Sequence, residues 1–281
     1  MKRVLALLLC VALSVCCCAC SKGYPVTFGD VIIEKAPQRV VALSESVASA
    51  VSAMGYGEYI VGAPKPFLDA EGSSAADIGT EYDLYNDTII ALKPDLVITS
   101  FELTSNFKAS LAEQGIAVIT LISPKTYGEL EGYYLEIARL FEGEEKAPEK
   151  KEEFIVGINT AFETMSAKNS VSSKNVVVYV ETGFVATGDT FAGQAIEKAG
   201  IKNIAADKTN YMMSAVDIVA ANPEVIFCPK GQGDSIMANS VFKEVNAIKN
   251  AAVYEVDVAA LLYAGKNMIS TLEEMTNYLA K

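Results

Sequence analysis

Histidine and tryptophan are both missing from the 281 residues. Without an imidazole there is no Ser-His-Asp or Cys-His machinery, no zinc site of the usual kind and no imidazole general base. Receptors that grip bare zinc or manganese through nitrogen ligands are disfavoured by the same count. An enzyme on this chain has only carboxylates to work with. Arginine is nearly as scarce: after Arg3 only Arg39 and Arg139 occur, so the forks that clasp carboxylates and phosphates in two places are almost lacking. Cys10, Cys16, Cys17, Cys18 and Cys20 crowd the first twenty positions and leave Cys228 alone in the body. That excludes a disulfide framework, and a solitary cysteine of this kind is more often a small buried hydrophobe than a ligand.

What is present begins with an address. Residues 1–19 carry Lys2 and Arg3 and then an apolar run from Val4 to Val15, too short for a mature transmembrane helix and laid out as a secretory signal. Ala19-Cys20-Ser21 is similar to the cleavage box of bacterial lipoproteins, which implies Cys20 as the lipid acceptor and 20–23 as a short tether holding the protein at the outer face of a membrane. The plainer alternative is a signal peptide that happens to be rich in cysteine. With the signal gone, 23 basic residues less Lys2 and Arg3 leave 21 against 35 acidic ones, a net of −14. Nucleic acid and anionic membrane surfaces are therefore poor partners. The remaining length suits one large or two modest domains.

One pattern occurs twice. In Asp87–Phe101 an apolar helical turn stops at Lys93-Pro94, because proline cannot continue a helix and restricts its predecessor, and Leu96-Val97-Ile98 reads as a buried strand. Asp217–Phe227 repeats this around Asn222-Pro223, with the prolines 129 positions apart. A spacing so long is not a solenoid repeat and suggests two similar α/β lobes. In the first lobe, 24–142, a hairpin around Gly29-Asp30 precedes a strand ending at Leu43, a helix from Val47 to Met54 with a glycine stop at Gly55-Tyr56-Gly57, and a strand over Tyr59–Ala63. Such alternation predicts a largely parallel sheet.

The run Ala36-Pro37-Gln38-Arg39-Val40-Val41-Ala42-Leu43-Ser44, the later Asp77-Ile78-Gly79-Thr80, and Asn86 through Ile98 resemble the class III substrate-binding proteins of ABC importers, which receive ferric siderophores, haem and cobalamin. Ala199-Gly200-Ile201-Lys202-Asn203-Ile204-Ala205 is similar to the corresponding second-lobe segment. The resemblance covers nearly all of the mature chain. It implies two Rossmann-like lobes with mainly parallel sheets, joined by one long rigid helix. We place that connection at 143–172, on the helical spacing of Phe154, Ile155, Ile158, Phe162 and Met165 after an earlier helix over Tyr127–Phe141, and the second lobe at 173–281. The alternative is an ordinary surface helix of one lobe. A stiff spine permits small rocking rather than wide closure. The glycine turn Ala186–Gly193 lacks the lysine and spacing of a P-loop and reads as structural.

Open α/β sheets bind ligands outside the carboxyl ends of their strands, and the loops there carry Ser44, Phe67, Tyr82, Tyr85, Phe101, Phe184, Tyr211, Lys230 and Tyr263. These are the candidate ligand contacts; for Tyr82 and Tyr85 a solvated loop is the competing reading. Neither Arg39 nor Arg139 falls in these loops, so only lysines such as Lys65, Lys125, Lys230 and Lys266 offer positive charge. A neutral, bulky guest such as a cobamide fits better than a highly charged catecholate, and haem is weakened by the missing histidine, although a tyrosine can serve as its axial ligand. The resemblance also implies docking on the permease through a carboxylate seven residues before each proline. Asp87 stands there in the first lobe, or serves simply as a favourable charge on a first helical turn. In the second, Val216 occupies the position and Asp217 stands beside it. No resident cofactor or metal is expected, and the protein is expected to act as a monomer. The competing class is a carboxylate-based enzyme or chelatase on a similar two-lobed fold, with a pair such as Glu45 and Glu181; a surface adhesion or scaffold protein needs no ligand-sized cleft.

Overall fold

The computed structural model describes residues 23–170 and 172–280, Lys266 by its backbone alone; the signal segment, Cys20 and the tether through Lys22 lie outside the described residues. The first lobe opens with β1 (Val26–Phe28) and β2 (Val31–Ile33), an antiparallel hairpin. Then come β3 (Val40–Ala42), α1 (Glu45–Val51), β4 (Ile60–Ala63), α2 (Lys65–Glu71) and β5 (Ala76–Asp77). A two-residue pair, β6 (Gly79–Thr80) and β7 (Asp83–Leu84), leads to α3 (Asn86–Ala91), β8 (Leu96–Thr99), α4 (Ser105–Glu113) and β9 (Ala117–Thr120). The sheet runs β5-β4-β3-β8-β9, parallel throughout. Its central strands β3 and β8 are buried at every position, as expected where helices cover both faces.

Two details depart from the sequence reading. The glycine stop after α1 is a wide π-helical stretch over Ser52–Tyr56, with Gly55 left-handed at φ 93°. The loop between Asp77 and Asn86 is not irregular but carries β6 and β7, and Gly79 is required there: its φ is 84°, and a Cβ would lie 2.1 Å from the Asp83 carbonyl.

A helix, α5 (Leu130–Asn169), then runs behind both lobes. Gly143, at φ 75° and ψ 173°, breaks it into the two runs the sequence spacing suggests. At this break the Gly23 carbonyl accepts from the Glu144 amide at 2.8 Å. The second lobe contains β10 (Val176–Glu181), β11 (Phe184–Val185), α6 (Phe191–Lys198), α7 (Ala215–Ala221), β12 (Val225–Pro229), α8 (Gly233–Met237), α9 (Asn246–Lys249), β13 (Val253–Val256) and α10 (Lys266–Leu279). Its sheet runs β11-β10-β12-β13, parallel except for the short antiparallel β11.

The repeated joint is built the same way twice. Before each proline a residue turns left-handed, Lys93 at φ 48° and Asn222 at φ 46°, which ends the helix as a C-terminal cap does. The acid after each proline catches the backbone at the start of the neighbouring strand. Asp95 accepts from the Gln38 and Arg39 amides at 2.8 and 3.1 Å, and Glu224 accepts from the Asn175 amide at 2.9 Å. Each joint thus sets the register of a parallel pair, β3 with β8 and β10 with β12.

One apolar core spans both lobes. It runs from Val40 and Leu96 through Tyr134, Ile137 and Phe162 of α5 to Val178, Phe191, Phe227 and Met268. Burying each large side chain of this kind contributes about 1.5–3 kcal/mol. Tyr134 is fully buried, and its hydroxyl donates to the Ala264 carbonyl. The lobes also touch directly: Gly265 lies so close to α1 that a Cβ there would stand 2.1 Å from Ser49 Oγ.

Candidate ligand-binding cleft

The carboxyl ends of β3 and β4 open on a cavity of about 390 Å³. Leu43, Ser44, Glu45 and Ser46 form one side, Pro64 and Pro66 another, and Tyr82 and Tyr263 stand across it. Tyr263 comes from the second lobe, between β13 and α10, so the cavity has walls from both. Its phenol hydrogen-bonds the half-buried Glu45 carboxyl. Desolvation raises Glu45 above the usual carboxylate range, the bond from Tyr263 opposes that, and the charge of Asp257 adds to it. Burial, then Glu45, pushes the Tyr263 phenol well above its ordinary value.

Ser44 has a structural duty first. Its Oγ caps α1, accepting from the Val47 amide at 3.4 Å, and receives the Ser100 hydroxyl at 2.8 Å. Tyr82 is 91% exposed at the tip of β6 and β7, beside Glu81, whose hydrogen bond and charge raise its phenol above the ordinary value. Tyr85 is half exposed. Phe101 packs against the first lobe's outer core and lines, with Tyr82 and Glu81, a separate recess of about 270 Å³.

Phe67 is a correction. It is buried in the core to 3% exposure, because α2 turns Phe67 inward while Pro64 and Pro66 line the cavity. Phe184, Tyr211 and Lys230 stand on the second lobe and do not line this cavity. Phe184 is exposed on β11, and Lys230 is exposed just past β12. Tyr211, left-handed at φ 59°, is tied to the Thr187 hydroxyl through its amide at 3.0 Å, and burial raises its phenol. Both arginines serve the scaffold: Arg39 donates to the Leu92 carbonyl at 2.7 Å, closing the end of α3, and Arg139 bridges Glu136 and Glu144 and stacks on Phe28.

A larger cavity, about 830 Å³, lies elsewhere, between the β1–β2 hairpin, β9 and α5. Among the described residues no group of three or more His, Cys, Asp or Glu side chains is arranged to hold a metal, and no helix is long and apolar enough to cross a membrane.

The sequence pattern of the periplasmic binding protein family matches residues 40–260. The chain belongs to that family. An ABC transporter substrate-binding lipoprotein of Bacillus subtilis, YvrC, described as uncharacterized, is 27% identical over 90% of this chain and 84% of its own length. The Fe(3+)-citrate-binding protein YfmC of the same organism is 23% identical over 82% and 76% of the two chains. Among solved structures, the periplasmic heme-binding protein HutB of Vibrio cholerae superposes with a TM-score of 0.72 at 20% identity, covering 87% of this chain and 99% of that one. The fold is that of the class III binding proteins, two α/β lobes on a long helix, and the chain is a substrate-binding transport protein of an ABC importer, not an enzyme.

Glu45 and Glu81 line the cavity although the sequence reading left them out of the candidate contacts; Asp257 is not part of the lining, but its charge raises the Tyr263 phenol. Glu45 follows the β3 strand end and Asp257 follows β13, so the rule that selects strand ends finds both when applied to acids as well as aromatics. At the expected docking positions, Asp87 is exposed in the first turn of α3. Asp217 accepts from the Ser214 hydroxyl at 2.8 Å while Ser214 Oγ accepts from the Asp217 amide, and Val216 is 76% exposed.

Proposed function

We propose that this binding protein captures a metal chelate in the cleft between its lobes, at the outer face of a membrane to which Cys20 is lipid-anchored, and delivers it to the permease of an ABC importer. A cobamide or ferric siderophore is the preferred cargo, with haem behind them. The observation that carries the reading is the cavity at the β3 and β4 strand ends with Tyr263 of the other lobe across it. Two relatives support the chelate class through what they are named for, ferric citrate in one case and haem in the other. The cargo brings its metal already enclosed, since the cleft offers phenols, hydroxyls and scattered carboxylates rather than a metal cage. Haem ranks lower because the chain has no histidine, leaving a phenol as its axial ligand.

Asp87 is the docking carboxylate on the first lobe. On the second, Asp217 is shared with the cap of α7, so its contact with the permease is the weaker one. The protein acts as a single copy. Titration of the mature chain with cyanocobalamin, ferric citrate, a ferric trihydroxamate and haemin, read by tyrosine fluorescence, tests the reading: saturable one-to-one binding of at least one is expected, and no saturation by any would overturn it.

A further inference from the structure

The cleft is lined by two acids of the first lobe, and a third from the second lobe acts on it by charge. Glu45 lies just beyond β3, Asp257 directly follows β13, and Glu81 on the tip of β6 and β7 lines the same cavity. Glu45 and Glu81 line the cavity with Tyr263; Asp257 is outside the lining, and its charge adds to theirs in raising the Tyr263 phenol. Among the described side chains no lysine or arginine lines this cavity. Lys65, on the neighbouring α2, is exposed and paired with Asp69 at 3.0 Å; the two arginines are occupied in the scaffold.

We infer that the cleft selects neutral or cationic chelates against anionic ones, and that Glu45, Asp257 and Glu81 set this selection. The inference rests on the chelate-binding reading above and narrows it. An anionic guest gives up water and meets like charges in a recess whose low-dielectric walls strengthen their field. A guest in the cavity with amide N–H or ammonium groups offers the Glu45 carboxylate a further donor, whereas an acceptor-only anion offers none, the kind of mismatch by which sites reject wrong partners. Glu81, being exposed, contributes least.

The test compares dissociation constants of the mature chain for cyanocobalamin, the cationic ferric complex of desferrioxamine B, ferric citrate and haemin. The wild type should bind one of the first two at least about tenfold tighter than either anionic chelate. Glu45→Gln and Asp257→Asn should each narrow that gap by about three- to tenfold, and Glu81→Gln by less. Added salt should narrow it in the wild type too, by screening the repulsion, a readout that needs no variant. A wild type that binds an anionic chelate most tightly, or a gap unmoved by both substitutions and by salt, would overturn the inference while leaving chelate capture intact. Binding of none of the four would overturn the capture reading itself.

Discussion

The two lobes agree where the backbone must turn and differ at the helix starts proposed to meet the permease. Both have the left-handed residue, the proline and the acid that holds the next strand in register. At the start of the helix preceding each joint they part. On α3 no side chain caps the helix and Asp87 is exposed in its first turn. On α7, Ser214 and Asp217 close a reciprocal cap beside the exposed Val216. The difference shows which half of a repeated motif is fixed by geometry. A parallel strand pair tolerates few ways of leaving a helix, while a helix N-terminus can be capped in one lobe and left uncapped in the other.

The most severe way to break the comparison is to remove what the lobes share. Tyr134→Ala should cost about 3–5 kcal/mol, as truncation of a buried aromatic does, and urea unfolding should remain one transition because both lobes draw on the same core. Two separated transitions would show that the lobes are independent. Next is a feature the second lobe lacks. Gly79→Ala places a Cβ against the Asp83 carbonyl at a left-handed position and should cost about 1–3 kcal/mol, with Tyr82 losing its place at the cleft; thermal melting and chelate titration would register the two effects.

The joints give a smaller test. Asp95→Ala and Glu224→Ala should each destabilise by about 1 kcal/mol, and unequal urea midpoints would show that the joints only look alike. The helix starts should separate two properties: Ser214→Ala costs about 1 kcal/mol of stability, while Asp87→Ala changes stability by less than about 0.5 kcal/mol and lowers uptake by cells. The smallest effect concerns Glu45. Its carboxyl titrates higher in the folded protein than in the unfolded chain, so the folded state holds more protons and this group's contribution to stability falls as pH rises through that range. Glu45→Gln should therefore stabilise the unliganded protein at pH 7, and the gain should vanish at pH 4, as urea midpoints at the two values will show.

The repeated joint, the hairpin, the buried strands and the break at Gly143 were legible because each depends on a local rule: proline stops, glycine turns, or apolar period. The π-helical stretch after α1 was not, since a wide turn and a sharp one use the same Gly55-Tyr56-Gly57. Phe67 was misplaced for a related reason. It sits near a strand end in sequence, but the face a short helix presents depends on what packs beneath it. Glu45 and Tyr263 lie far apart in the chain, and no periodicity couples them; only the fold brings their polar groups together. The large cavity under the hairpin had no sequence signal either, because it is a gap between elements rather than a property of one.

The direct seating of Gly265 on α1, together with an interior that passes unbroken through α5, makes the two halves one solid piece. Such a body has little spare motion with which to announce that it is loaded. A permease that takes cargo from the proposed cleft would then have to sense it where it shows between the lobes, or spend its own energy in prying them apart.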